Sequence, residues 1–177
     1  MLKSEGYEDI GMDHFALPHD SIWQAQAQEK LHRNFMGYTT NETDLLIGLG
    51  CSAISDAKYA YAQNVKKVEE YLHAVTKGNL AVIKGHIQTD QDLHLKKCIL
   101  EIACQGKISK ENLMTANTIA VLTALRTFCY EGILKSENGG FRVTDVGRAF
   151  IRTICSAFDT RRQVQDETSK NLYSKAI

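Results

Sequence analysis

The chain of 177 residues carries no net charge, 21 Lys and Arg balancing 21 Asp and Glu. It therefore lacks a global field that would gather nucleic acid or an anionic membrane surface, and any charged partner must be held locally. It also lacks an apolar run near the roughly 20 residues needed to cross a bilayer. The opening Met1-Leu2-Lys3-Ser4-Glu5-Gly6 has no apolar signal-peptide core. A soluble, cytoplasmic protein is expected, with no membrane and no nucleic-acid partner. Local metal motifs are missing too: there is no Cys-x-x-Cys, no Cys-x-x-x-Cys-x-x-Cys and no His-Glu-x-x-His. The five cysteines, Cys51, Cys98, Cys104, Cys129 and Cys155, are odd in number and sit mostly in apolar periodic segments, where a free thiol behaves as a small hydrophobe. All five are read as reduced, and no metal ligand is expected in this chain.

What the chain has is length enough for a real core, as one large domain or two small ones. Its most distinctive stretch is His32-Arg33-Asn34-Phe35-Met36-Gly37-Tyr38-Thr39-Thr40, continued by Leu45 to Ser55. There an apolar run, Leu45 to Leu49, reads as a buried strand feeding a bend punctuated by Gly48 and Gly50. Glycines at such a bend let another backbone or a ligand come close. This loop is the leading candidate for a site. Gly48-Leu49-Gly50-Cys51-Ser52-Ala53 formally matches the dinucleotide fingerprint, with Glu69 and Glu70 near the distance of a ribose-binding acid. The fingerprint also needs a subsequent helix and a second parallel strand, and the sequence shows no second strand. A close approach to another ligand is the favoured reading and a plain tight turn the alternative.

Upstream, Tyr7 to Ala16 reads as a strand end running into a loop, closed by Leu17 and the only proline, Pro18. Within it Asp13-His14 pairs an imidazole with a carboxylate, a tunable acid or base, and these two are the catalytic candidates against a structural reading. Asp20 caps an expected helix from Ser21 to about Asn34, with Ile22, Ala25, Leu31 and Phe35 as a weak apolar face. Val65, Val68, Tyr71, Leu72 and Val75 recur at helical spacing up to Gly78. Asn79 to Ile87 is a linker or a brief strand.

From Thr89 the pattern becomes regular. Thr89 and Asp92 stand at capping-box spacing before Leu95, Cys98, Ile99 and Ile102, with Gly106 as the stop. Ser109 caps a second helix, and Ile119, Leu122 and Leu125 mark a third that ends near Gly132. Ile133-Leu134-Lys135 and Phe141-Arg142-Val143 flank an Asn-Gly-Gly turn, the clearest hairpin in the chain. Thr144 caps a last helix with Phe150, Ile151, Ile154 and Phe158 as its buried stripe. This order is winged-helix-like. The expected fold class is α+β, mostly α, with residues 1–78 and 89–159 as two units, 79–88 as linker and 160–177 as a polar tail with Leu172, Tyr173 and Ile177 as docking points. A winged helix invites a DNA-binding reading, but residues 89–159 hold nine basic against eight acidic side chains. A surplus of one releases few counterions, so a packing or lid role is preferred.

At Gly-Met-Asp-His-Phe-Ala (11–16), His-Arg-Asn-Phe (32–35), Gly37-Tyr38-Thr39-Thr40, Thr43-Asp44-Leu45-Leu46, Ser52 to Ser55 and Tyr61-Ala62-Gln63-Asn64, the chain resembles the C-terminal part of the oxygen-independent coproporphyrinogen III oxidases. These are radical S-adenosylmethionine enzymes of haem biosynthesis. The resemblance resumes at Val143-Thr144, Gly147-Arg148, Ile151-Arg152, Ile154-Cys155 and Phe158-Asp159. It implies that residues 1–78 end a radical barrel and that the chain is a fragment, inactive alone, of an enzyme holding a 4Fe-4S cluster and S-adenosylmethionine. That enzyme would abstract hydrogen from two propionates of coproporphyrinogen III, release carbon dioxide and leave the vinyls of protoporphyrinogen IX. The resemblance further places Ile54, Phe35 and Met36 at a second S-adenosylmethionine, with Met36 standing where the family usually has glutamine. A thioether cannot donate the amide's hydrogen bonds. Two other functions stay open: a winged-helix interaction or nucleic-acid module, and a porphyrin-binding remnant without chemistry. Self-association through residues 1 to about 64 is expected if that half normally packs on missing barrel strands.

Overall fold

A computed structural model describes residues 1–116 and 119–159; the expected tail docking points Leu172, Tyr173 and Ile177 lie outside them. The fold is mixed α and β. It begins with a hairpin, β1 (Glu8–Gly11) against β2 (His14–Ala16), whose turn residues Met12 and Asp13 take positive φ. Next comes α1 (Ser21–Ala27), capped as foreseen by Asp20, whose Oδ1 accepts the Ile22 amide at 2.8 Å. The helix does not reach Asn34. Glu29 turns to positive φ, the Lys30 amide bonds back to the Ala25 carbonyl, and His32 to Asn34 are taken up by a second hairpin. This hairpin pairs β3 (His32–Asn34) with β4 (Gly37–Thr39) and carries Phe35 and Met36 on its turn. An apolar face of Ile22 and Ala25 alone does not hold a longer helix.

The next layer is a three-stranded antiparallel sheet in the order β5 (Ile54–Asp56), β6 (Ala60–Asn64), β7 (Val82–Ile87). Between its last two strands runs α2 (Val68–Thr76), which starts three residues after Val65 and leaves Val68, Leu72 and Val75 exposed. The segment 79–88 thus supplies a paired strand. Leu45 to Leu49 is not the buried strand expected. An isolated bridge, Leu46 to Asp56, and hydrogen bonds at Gly48 tie it to the sheet, while Leu45, Ile47 and Leu49 are exposed, Leu49 to 84%. Its apolar character alone does not bury it.

The second half begins with α3 (Asp90–Gln105), closed at its start by the Thr89–Asp92 capping box and at its end by Gly106. Then come β8 (Lys107–Ile108), a strand unmarked in the sequence pattern, α4 (Lys110–Thr115) and α5 (Ile119–Tyr130). The foreseen hairpin is β9 (Leu134–Glu137) and β10 (Gly140–Val143), turning on Asn138 and Gly139, both at positive φ. β10 also pairs with β8, giving a sheet of order β8-β10-β9. Thr144 accepts the Gly147 amide at 3.0 Å, but the turn it caps is 3-10 (Gly147–Phe150) before α6 (Ile151–Ser156). That tighter turn leaves Phe150 exposed, while Ile151, Ile154 and Phe158 are buried as the pattern required.

One core joins the chain's two ends. Ile10, Ala16, Ala25, Leu31 and Tyr38 pack with Leu95, Ile102, Leu125, Ile154, Phe158 and their neighbours, and no residue from 39 to 94 belongs to this cluster. Tyr38 pins the junction: its hydroxyl donates to the Ala103 carbonyl of α3 at 2.8 Å. The β5-β6-β7 sheet is therefore a separate layer, tied to α3 by ion pairs and not by the shared core.

Candidate functional site

Side chains alternate across a strand, and cross-strand partners share a face. In the β5-β6-β7 sheet the registers Ile54–Gln63–Lys84 and Asp56–Tyr61–His86 thus lie on one face. Opposite stands α3, whose Asp92, Leu95, Lys96, Ile99 and Ala103 recur at helical spacing and face the sheet. A cleft of about 450 Å³ opens between them, closed by Arg33, Asn34 and Phe35 of the β3–β4 hairpin and by Met12 and Phe158. Its walls are mostly apolar, with a few polar groups converging on them, the usual make-up of a ligand site.

Each polar group is held differently. Lys96 Nζ donates to Asp56 Oδ2 at 2.7 Å and stands 4.9 Å from the centre of the Tyr61 ring. Burial works against the Lys96 charge, but the hydrogen bonds to Asp56 and Tyr61 outweigh it and raise its pKa above the ordinary value. His86 Nε2 lies 3.2 Å from Asp92 Oδ2, the same oxygen that accepts the Thr89 amide and hydroxyl at 2.9 Å. The helix cap thereby also orients the imidazole. Phe35 meets Tyr61 edge-on, centroids 5.3 Å apart. Arg33 lies against the Tyr38 ring, 5.0 Å to its centroid, and its Nη1 is buried without a hydrogen-bond partner.

The residues singled out in the sequence divide. Phe35 lines the cleft, and Ile54 sits on the same sheet face as its floor, two residues along β5 from Asp56. Met36 points outward on the hairpin turn, 88% exposed, its amide accepted by Asn34 Oδ1. Asp13 and His14 lie on the β1–β2 turn, outside the cleft. His14 Nδ1 is 2.8 Å from the Met12 carbonyl, its ring stands edge-on to Tyr38 at 5.1 Å, and the exposed Asp13 reaches Arg152 at 3.5 Å.

The close approach foreseen at Gly48 is made by the chain itself. A Cβ there would lie 2.7 Å from the Ile54 carbonyl oxygen. Asn64 Nδ2 donates to the Gly48 and Gly50 carbonyls, and the Gly50 amide donates to the Tyr71 hydroxyl. Beyond the glycines the chain enters strand β5, antiparallel to β6, so the helix a dinucleotide fingerprint requires is not there.

Arg33, Asp56, Tyr61, His86, Asp92 and Lys96 escaped sequence reasoning as site residues. They come from separate segments; Arg33 and Tyr61 stand within the family motifs and Asp92 in the capping box, and Lys96 follows Leu95 in the apolar stripe of α3.

Burial pushes the thiols of Cys98 and Cys104 up to about 11 and that of Cys155 to about 12. Among the described residues no group of three or more His, Cys, Asp or Glu is placed to hold a metal ion. No helix among them is long and apolar enough to cross a membrane.

No protein-family model matches the chain. It is, however, 35% identical to the oxygen-independent coproporphyrinogen III oxidase of Synechocystis sp. over 99% of its own length and 40% of the relative's. The oxidase of Thermostichus vulcanus is 40% identical, with 99% of this chain and 56% of the relative covered. Among solved structures, coproporphyrinogen III oxidase from Escherichia coli, described as a radical SAM enzyme, superposes with a TM-score of 0.81 at 35% identity, over 90% of this chain and 38% of that one. The chain is related to the C-terminal part of the oxygen-independent coproporphyrinogen III oxidases. It spans about two fifths to just over half the length of these oxidases.

Proposed function

We propose that this chain serves as the C-terminal part of an oxygen-independent coproporphyrinogen III oxidase, covering and helping to position the substrate. The reaction is the oxidative decarboxylation of two propionates of coproporphyrinogen III to the vinyls of protoporphyrinogen IX, in the cytoplasm. The observation that carries this is the agreement of sequence and fold over nearly the whole chain with oxidases of that name. A 4Fe-4S cluster with S-adenosylmethionine would supply the radical that removes hydrogen from the propionate. Its ligands lie outside this chain, which alone is inactive. Phe35, Ile54 and Met36 would contact a second S-adenosylmethionine, Phe35 and Ile54 by apolar packing alone. Two features support the finer fold reading. The order of α3, β8, α4, α5 and the β9–β10 hairpin is that of a winged helix, and the exposed Leu45, Ile47, Leu80, Val82, Ile83 and Ile87 offer an apolar surface for barrel strands to cover.

The test is a chimera in which this chain replaces the matching C-terminal part of the Escherichia coli enzyme. Anaerobic conversion of coproporphyrinogen III to protoporphyrinogen IX is the expected result. A chimera with a full complement of iron and no conversion would overturn the reading.

A further inference from the structure

The charged groups of the cleft are held in different ways. Lys96 is neutralised by Asp56 at 2.7 Å. Asp92 is committed to the Thr89 cap and to His86. Asp159 stands exposed at the rim. Arg33 is the exception: its guanidinium lies against the Tyr38 ring, and its Nη1 is, among the described residues, the one buried side-chain nitrogen or oxygen without a hydrogen-bond partner. Keeping such a donor unpaired is costly, and a carboxylate is the group a guanidinium satisfies best, through two parallel hydrogen bonds. Beside it the aromatic pair Phe35 and Tyr61 and the aliphatic Leu95 and Ile99 offer apolar walls.

We propose that the cleft is a carboxylate subsite, with Arg33 gripping one carboxylate of a largely apolar ligand whose body lies against Phe35 and Tyr61. This deepens the oxidase reading and rests on it for the two sources of that carboxylate, a propionate of the tetrapyrrole or the amino-acid end of S-adenosylmethionine. Arg33 is a binding residue here and takes no part in proton or electron transfer. The ion pair of Lys96 and Asp56 keeps the second cation of the cleft from competing for the same anion.

The test uses the full 177-residue chain. It is titrated, followed by absorbance and calorimetry, with coproporphyrin III, with its tetramethyl ester, and with S-adenosylmethionine. The free acid should bind at least tenfold more tightly than the ester, and Arg33→Met should erase that difference, since a hydrogen bond to a charged group is worth roughly ten- to a hundredfold in affinity. Arg33→Lys, which keeps the charge and loses the fork, should fall between. If S-adenosylmethionine alone loses affinity in Arg33→Met, the carboxylate is the amino-acid one; if coproporphyrin alone does, it is the propionate. The ester comparison needs no variant and so survives a misfolded one. Equal binding of acid and ester together with unchanged S-adenosylmethionine affinity in Arg33→Met, or no binding of any probe by the wild type, would overturn the proposal. The chimera answers separately: conversion there with no Arg33 effect sinks only the subsite, and an inert chimera beside Arg33-dependent binding sinks only the oxidase reading.

Discussion

Gly48 and Gly50 bound the same loop but need to be glycine for different reasons, and this difference can be measured. At Gly48 the difficulty is space: a Cβ would sit 2.7 Å from the Ile54 carbonyl oxygen and 2.9 Å from its amide nitrogen, backbone against backbone, where neither side can rotate away. At Gly50 the surroundings are open, but φ is +99°, a conformation that costs an L-residue roughly 1–2 kcal/mol. Gly48→Ala should cost about 1–3 kcal/mol, the usual range for overpacking, and the strain should pass into β5 through Ile54. The amides of Leu46 and Asp56, which bond each other's carbonyls at 2.8 and 2.9 Å, should then exchange with deuterium roughly five to 150 times faster. Gly50→Ala should leave Asp56 alone and instead speed exchange at Ser52, whose amide bonds the Val65 carbonyl across the loop. The core takes nothing from residues 39–94, so exchange at Ile102, Leu125 and Ile154 should not change in either variant. Slow exchange at Asp56 in Gly48→Ala, or a loss of protection in the core as large as that in the loop, would refute the reasoning.

The ties between layers give two further outcomes. Tyr38→Phe removes the hydroxyl bound to the Ala103 carbonyl, which should cost about 1–2 kcal/mol and lower Tm by roughly 2–8 °C; an unchanged melt would mean that water replaces the contact. Lys96 has a folded pKa raised above its unfolded one, so its contribution is fully present below the unfolded value of about 10.4 and is lost as pH rises through the folded one. The stability gap between wild type and Lys96→Met in urea titrations should thus be constant at neutral pH and close only in that alkaline range; a gap that closes on acidification from pH 9 to 7 would contradict the pairing with Asp56.

Local chemistry is legible in the sequence and tertiary assembly is not. The Thr89–Asp92 capping box, the Asp20 and Ser109 caps, the Gly106 stop and the Asn138-Gly139 turn all appear where residue type places them, because each is decided within four or five residues. The expected α1 is too long because the residues that end it, Gln28 to Leu31, contain no proline or glycine, and only pairing with β4 shows that His32 to Asn34 are extended. β8 is invisible in the sequence because two residues carry no periodicity, and it exists through β10. The cleft has the same character: Lys96 meets Asp56 forty positions away, and Phe35 meets Tyr61 across a loop and a strand. The family motifs reach part of it, since His-Arg-Asn-Phe contains both Arg33 and Phe35, but nothing in that run says which of its polar groups ends up buried without a partner.

Apart from Phe150, the apolar patterns that stay uncovered do so for one reason. Leu45 to Leu49 reads as a buried strand, and Val68, Leu72 and Val75 recur at helical spacing as one apolar face, a pattern that normally seeks cover. In the structure Leu45, Ile47 and Leu49 and the stripe of Val68, Leu72 and Val75 are exposed, together with Leu80, Val82, Ile83 and Ile87. All of these residues lie between 39 and 94, the part of the chain from which the core draws nothing. The amphipathic pattern therefore still has meaning there. Periodicity records which face requires a partner, and the hydrophobic effect that rewards its burial is indifferent to whether the covering surface belongs to the same segment, to another segment or to another chain. The sheet faces α3 with its polar and aromatic registers, and there its own chain supplies the cover and forms the cleft, while its neighbouring helix and edge strand turn apolar side chains outward, where the described residues supply none.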